Sequence, residues 1–248
     1  FSQQPELLEY FEKCFYKYGI EKNTYFETEV ISATFDELTN LWSVTSQNKN
    51  NKIQEKTNII ISCVGQLNQP NVPNINGIDD FQGDVFHSSQ WPDYDVISEK
   101  KVAVVGSGAS AFQIVPSIAK SCKKLTIFQR SPPWMFPNPK YHEKVDERKK
   151  WLLENLPFYS RWYRFLLFYP GSDQLLDSLF IDPTWKARSD SINEANDAMR
   201  ELFTSAMLEQ ISDQSLVEKV IPDYPPFGKR MLQDNGAWLE ALHLPNVT

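Results

Sequence analysis

The chain has 248 residues, of which 41% are hydrophobic, enough to bury a core in one large domain or two small ones. A formal charge of −7 leaves no basic field for phosphate backbones, so nucleic acid is excluded as a partner and each Arg or Lys must act locally. Three widely separated cysteines, Cys14, Cys63 and Cys122, fit reduced thiols in a cytoplasmic protein rather than a disulfide framework, and none has metal-ligand spacing.

From the N-terminus, Leu7, Leu8, Phe11, Phe15 and Tyr18 recur at helical spacing and Gly19 follows as a stop, which predicts an opening amphipathic helix whose apolar face needs a partner. Three β-rich runs come next, Tyr25 to Phe35, Trp42 to Thr45 and Asn58 to Cys63, and they read as a small meander plus one buried strand. The proline- and asparagine-rich stretch from Gln66 to Gly77 predicts an extended crossing segment and a domain boundary. Lys101 to Val105 predicts a strand, Phe112 to Ala119 the body of a helix and Leu125 to Phe128 a second strand, together a strand-helix-strand unit. From about 143 to 216 the chain turns helical and aromatic, with Trp151, Phe158, Trp162, Tyr163, Phe165 and Phe168 close together and read as core packing. Arg161 and Arg164 interrupt its most apolar stretch, so no membrane span is expected, and the N-terminus lacks the features of a signal peptide. The chain starts at Phe1 and stops at Pro245-Asn246-Val247-Thr248, on the approach to a strand, which suggests truncation at both ends.

Between the first strand and the helix stands Gly106-x-Gly108-x-x-Ala111. The first glycine permits a tight turn, the second lets backbone amides approach a pyrophosphate, and the small third residue lets the helix pack close to the strand. Gly106, Ser107, Gly108, Ala109, Ser110 and Gln113 are therefore candidate cofactor-binding residues. Enzymes that use NADH place an acidic residue at the end of the second strand, about 20 residues on. Here that place holds Gln129-Arg130-Ser131, and a guanidinium favours the extra 2′-phosphate of NADPH.

Upstream lies Phe81-x-Gly83-x-x-x-His87-x-x-x-Trp91-Pro92, which resembles the fingerprint of type I Baeyer–Villiger monooxygenases. The related N- and S-oxygenating enzymes share its first half and usually lack the Trp-Pro ending. The resemblance extends over essentially the whole chain and is closest to 4-hydroxyacetophenone monooxygenase-like members. It is carried by Gln129-Arg130-Ser131-Pro132 with Trp134 and Pro137, by Asp182-Pro183-Thr184-Trp185 with Asn193, Asn196-Asp197 and Arg200, and by Pro222-Asp223-Tyr224-Pro225-Pro226-Phe227-Gly228-Lys229-Arg230. It implies an α/β fold of two dinucleotide-binding domains, seen here as a Rossmann-like NADPH domain with a helical insertion plus remnants of an FAD domain. Residues 1–67 would be part of the FAD domain, 68–98 the linker carrying the fingerprint, 99–220 the NADPH domain with insertion 143–216, and 221–248 a return segment to the FAD domain.

By the same resemblance Gly65, in Ser62-Cys63-Val64-Gly65-Gln66-Leu67, lies in a turn against the flavin, Lys229 contacts the 2′-phosphate, and Arg230 is the catalytic residue that stabilises negative charge near the flavin. His87 belongs to a conformational motif and is not expected to be a base. The implied reaction is insertion of one oxygen atom from O2 into a ketone through a peroxyflavin, giving an ester or lactone, with FAD and NADPH as cofactors. No second glycine-rich motif for the flavin occurs in the chain, so the isolated polypeptide is expected to bind FAD poorly and to lack turnover. Two other readings stay open: heteroatom oxygenation of amines or sulfides, and an NADP-binding module without turnover. A homo-oligomer is compatible with the sequence.

Overall fold

The computed structural model describes residues 2–49, 51–187 and 189–248, which part into two compact units, Ser2–Trp91 and Pro92–Thr248. The first unit opens with helix α1, Gln4–Lys17, which has Pro5 in its first turn and is stopped by Gly19 at φ 62°. A three-stranded antiparallel meander follows, β1 (Glu29–Asp36), β2 (Leu41–Gln47) and β3 (Lys52–Thr57). Its third strand is Lys52–Thr57, and the expected buried strand at Asn58–Cys63 does not form: Ile59 and Ile61 are exposed and unpaired. β-branched side chains favour a strand only where a partner accepts their backbone hydrogen bonds and a face covers them, and this run has neither among the described residues. Nor is the apolar face of α1 covered, for none of its residues is buried.

The second unit is built on strand β4 (Lys101–Val105), helix α2 (Ala109–Ile118) and strand β5 (Lys124–Phe128), with β4 and β5 parallel and Val102 opposite Leu125. This is the strand-helix-strand unit expected from the periodicity. The chain's last residues run beside β5 as well: Leu125 N–H donates to Asn246 O at 2.8 Å and Thr248 N–H to Leu125 O at 2.9 Å. Asn246 Nδ2 then donates to Ala119 O and Cys122 O, which ties the end of α2 to this third position.

Strand β6 (Met135–Pro137) precedes the helical block, which comprises α3 (Glu147–Asn155), α4 (Tyr159–Phe168) and α5 (Glu194–Leu208), with 3-10 turns at Tyr169–Gly171 and Asp173–Leu179 between α4 and α5. The block is helical as expected, but its aromatic cluster is not core. Trp151, Phe158, Trp162 and Phe168 are all exposed, and the rings stack on one another along α4, as in Trp162 on Phe165 and Phe165 on Tyr169. Short helices place such rings at i, i+3 and i+4, where they meet each other rather than a second layer. The short helix α6 (Val217–Val220), strand β7 (Leu232–Asp234), parallel to β6, and helix α7 (Ala237–Leu242) complete the unit.

The core lies between α2 and α7 and behind β5. Phe112 stacks on Trp238 at 5.2 Å, and Val115, Ala119 and Leu125 are fully buried. A second cluster, centred on buried Trp134 and Phe203, joins β6, α5 and the loop before β7: Trp134 and the more exposed Phe136 pack on Phe203, and Phe227 meets Phe203 edge to face. Among the described residues no helix is long and apolar enough to cross a membrane, and no His, Cys, Asp and Glu group could hold a metal.

Candidate nucleotide site

The turn from β4 into α2 has the shape that its glycines require. Gly106 sits at φ 111°, a conformation costly for any residue with a Cβ, and its N–H donates to Phe128 O at 2.8 Å, closing the turn onto the end of β5. Gly108 is the N-cap of α2, is exposed, and a Cβ built there meets nothing within 4 Å. No side chain caps the helix, so its first N–H groups and the positive end of its dipole face open space. Ala111 is buried and lets α2 lie close to β4, while Ala109 is half-buried, Ser110 is exposed, and the exposed Gln113 bonds back to Ala109 O.

One further contact leaves this turn for the residues just after β5, and two more lead on from there to a distant loop. Ser107 Oγ donates to Ser131 O at 3.1 Å, and Lys229 Nζ donates to Ser131 Oγ at 2.5 Å. Lys229 Nζ also lies 4.2 Å from the centre of the Tyr224 ring. Tyr224 is held at both ends, since its hydroxyl donates to Pro132 O at 2.9 Å and its carbonyl accepts from Trp134 Nε1 at 2.8 Å. Burial raises the Tyr224 pKa above its ordinary value, which keeps the hydroxyl protonated as that donor. Arg130 is exposed, next to Ser131, and its guanidinium makes no hydrogen bond or ion pair with the described residues. Lys229 is thus bonded to Ser131, and Arg130 precedes Ser131 in the chain, next to a helix start without a side-chain cap, in a chain that is acidic overall. The open Gly108 cradle, the uncapped helix and the free guanidinium fit a phosphorylated dinucleotide.

Other residues singled out in the sequence are placed as follows. Arg230 is exposed, one residue beyond Lys229. Gly65 holds a positive φ of 80° with open space around it, between exposed Val64 and Leu67. In the fingerprint, a Cβ on Gly83 would come to 2.5 Å from the exposed Phe81 ring, which would have to swing aside to admit it. His87 Nδ1 pairs with Ser89 Oγ at 2.8 Å and accepts from Ser89 N–H, a local turn, and Trp91 packs edge to face on Phe86. The division between the two units falls between Trp91 and Pro92, inside the fingerprint. The supporting roles of Tyr224 and Trp134 have no local signal, because both partners of each contact lie about 90 residues apart.

Residues 1–143 match the family of flavin-binding monooxygenase-like proteins. The chain belongs to that family. Over its full length this flavin monooxygenase chain is 38% identical to a monooxygenase of Sinorhizobium fredii, y4iD, and 33% identical to a Baeyer–Villiger monooxygenase of Pseudomonas aeruginosa, spanning 38% and 44% of those proteins. Its fold matches a crystal structure of OTEMO in complex with FAD and NADP at a TM-score of 0.76 and 26% identity, covering 99% of this chain and 50% of that one. It matches cyclohexanone monooxygenase bound to ε-caprolactone at a TM-score of 0.77, again at 26% identity and covering 51% of that chain. The chain therefore spans between 38% and 51% of the length of these relatives.

Proposed function

We propose that this chain is the NADPH-binding part of an FAD-dependent Baeyer–Villiger monooxygenase that inserts one oxygen atom from O2 into a ketone to give an ester or lactone. The observation that carries the reading is the chain of hydrogen bonds from Ser107 in the uncapped turn through Ser131 to Lys229, with Arg130 adjacent to Ser131 in sequence. The names of the relatives support the reaction class, and the Trp91-Pro92 ending of the fingerprint favours ketone oxidation over heteroatom oxygenation. The passages around Asp182 and Pro222 support a 4-hydroxyacetophenone monooxygenase-like subtype.

When bound, NADPH supplies the hydride and FAD the activation of dioxygen. The chain's own part is to bind and orient. Backbone N–H groups at the start of α2 receive the pyrophosphate, with Gly108 allowing the close approach. Arg130 and Lys229 receive the 2′-phosphate, and Ser131 offers its hydroxyl between them. Arg230 contributes a cationic guanidinium whose fixed donors stabilise negative charge developing at the ketone oxygen. Ser62 to Leu67 forms an edge of the flavin site.

The binding reading is tested by isothermal titration of the chain with NADPH and NADH. Charge-assisted hydrogen bonds contribute about 1.5–3 kcal/mol each, so Arg130→Ala should raise the Kd for NADPH about 10- to 100-fold and leave that for NADH unchanged. Equal losses for both nucleotides would remove Arg130 from the 2′-phosphate site. The reaction is tested on the full-length protein with labelled dioxygen: label in an ester formed from a ketone supports Baeyer–Villiger chemistry, and label only in sulfoxides or N-oxides supports the heteroatom reading.

A further inference from the structure

The loop that carries Lys229 is hydrogen-bonded to the helical block through the Asn196 side chain. Asn196, in the first turn of α5, is fully buried, and its Nδ2 donates to Ser178 O at 3.0 Å and to Pro226 O at 3.1 Å. Both neighbours are carbonyls, so the amide can only present its nitrogen there, and both of its protons are used. Pro226 is itself fully buried. From Pro226 the chain turns through Phe227, at φ 66° and packed edge to face on Phe203, to Gly228, whose N–H donates to Pro225 O at 3.1 Å. A side chain on Gly228 would press on that same carbonyl at 3.0 Å, so the turn tolerates little adjustment. Lys229 leaves it directly and reaches Ser131.

The base of the clamp is equally defined. Asn193 caps α5 by accepting from Asn196 N–H at 2.7 Å, and its own Nδ2 donates to Asp177 O and Phe180 O. The turn that contains Ser178 and the start of α5 are therefore one piece, and Asn196 extends that piece to Pro226 O.

We propose that Asn196 is a positioning residue for 2′-phosphate recognition: by holding Pro226 O it sets where the Lys229 ammonium meets Ser131, and so couples the helical block to cofactor choice. The proposal rests on the reading of Lys229 as a 2′-phosphate ligand. Its mechanism is distinct from a general contribution to stability, because only the nucleotide that carries the 2′-phosphate should feel it.

The test is a double-mutant cycle read by isothermal titration with NADPH and NADH, with folding followed by circular dichroism. Asn196→Ala should raise the Kd for NADPH about tenfold, the size of one charge-assisted contact, and leave the Kd for NADH unchanged. Combining it with Lys229→Ala should weaken NADPH no further than Lys229→Ala alone, since both remove the same contact. Additive losses, or equal losses for NADPH and NADH, would overturn the proposal and leave Asn196 as a packing residue. A Lys229→Ala variant that binds NADPH as well as the parent chain would instead overturn the phosphate reading beneath it. Asn196→Ser, a neutral residue whose short hydroxyl cannot reach both carbonyls, serves the same cycle if the alanine variant fails to fold.

Discussion

Trp134→Ala is expected to lower the thermal midpoint of the chain more than any other single aromatic truncation and to cost NADPH preference as well. The indole is 1% exposed, lies against Phe203 and Tyr224, and donates to Tyr224 O, while the Trp134 carbonyl accepts from Leu232 N–H. Truncation would leave a cavity where β6, α5 and the loop before β7 meet, and an orphaned carbonyl on the residue that supports Lys229. Burial of this kind is worth about 3–5 kcal/mol in a Trp→Ala change. For a domain of this size each kcal/mol moves the midpoint by about 2–4 °C, so the drop should be about 6–20 °C by calorimetry. Trp151, 60% exposed, is the control: its truncation should stay within about 0.5 kcal/mol. Equal drops for the two would show that the exposed aromatics of α3 and α4 are covered in solution. Trp134→Phe separates the two contributions, keeping most of the buried area while losing the bond to Tyr224 O.

The parts of the fold that are legible in the sequence are those whose signal is local. Lys101 to Val105, the glycine turn and the apolar face of α2 all lie within about one strand-helix-strand unit, where the switch of periodicity from 2 to 3.6 marks each boundary. Lys52–Thr57 was hidden because an edge strand with both faces largely exposed shows no apolar alternation. Asn58 to Cys63 misled for the opposite reason, having the composition of a strand without a ladder. The aromatic run from Trp151 to Phe168 has helical spacing, and spacing does not say whether a second layer exists to cover it.

The site divides along the same line. Gly106, Gly108 and Arg130 announce themselves by position relative to a strand and a helix. Lys229 joins Ser131 across 98 residues, a contact that no periodicity can reveal and that only the family resemblance brought together with Arg130. Asn196 did leave a trace. Asn196, Phe203 and Met207 are all buried on α5 at i, i+7 and i+11, and a buried amide on the face of Phe203 and Met207 needs hydrogen-bond partners. The sequence marks such a residue as structural or functional without naming the carbonyls that it serves.

Gly108→Val is expected to abolish nucleotide binding while leaving the fold nearly intact. Its backbone, at φ −75° and ψ −175°, is extended and open to a β-branched residue, and the added Cβ meets nothing within 4 Å. The change costs only the modest capping preference of glycine, about 1 kcal/mol. In the bound state the same methyl groups would stand where a pyrophosphate must approach the first N–H groups of α2. Losing two charge-assisted hydrogen bonds corresponds to a loss of about 100-fold or more in affinity. NADPH and NADH should fall together, because both carry the pyrophosphate, whereas Arg130→Ala should affect NADPH alone. The contrast between the two variants, measured by titration against an unchanged circular dichroism spectrum, assigns the two halves of the site separately. Retained binding of either nucleotide by Gly108→Val would mean that the phosphates lie elsewhere, and that the open turn before α2 has another use.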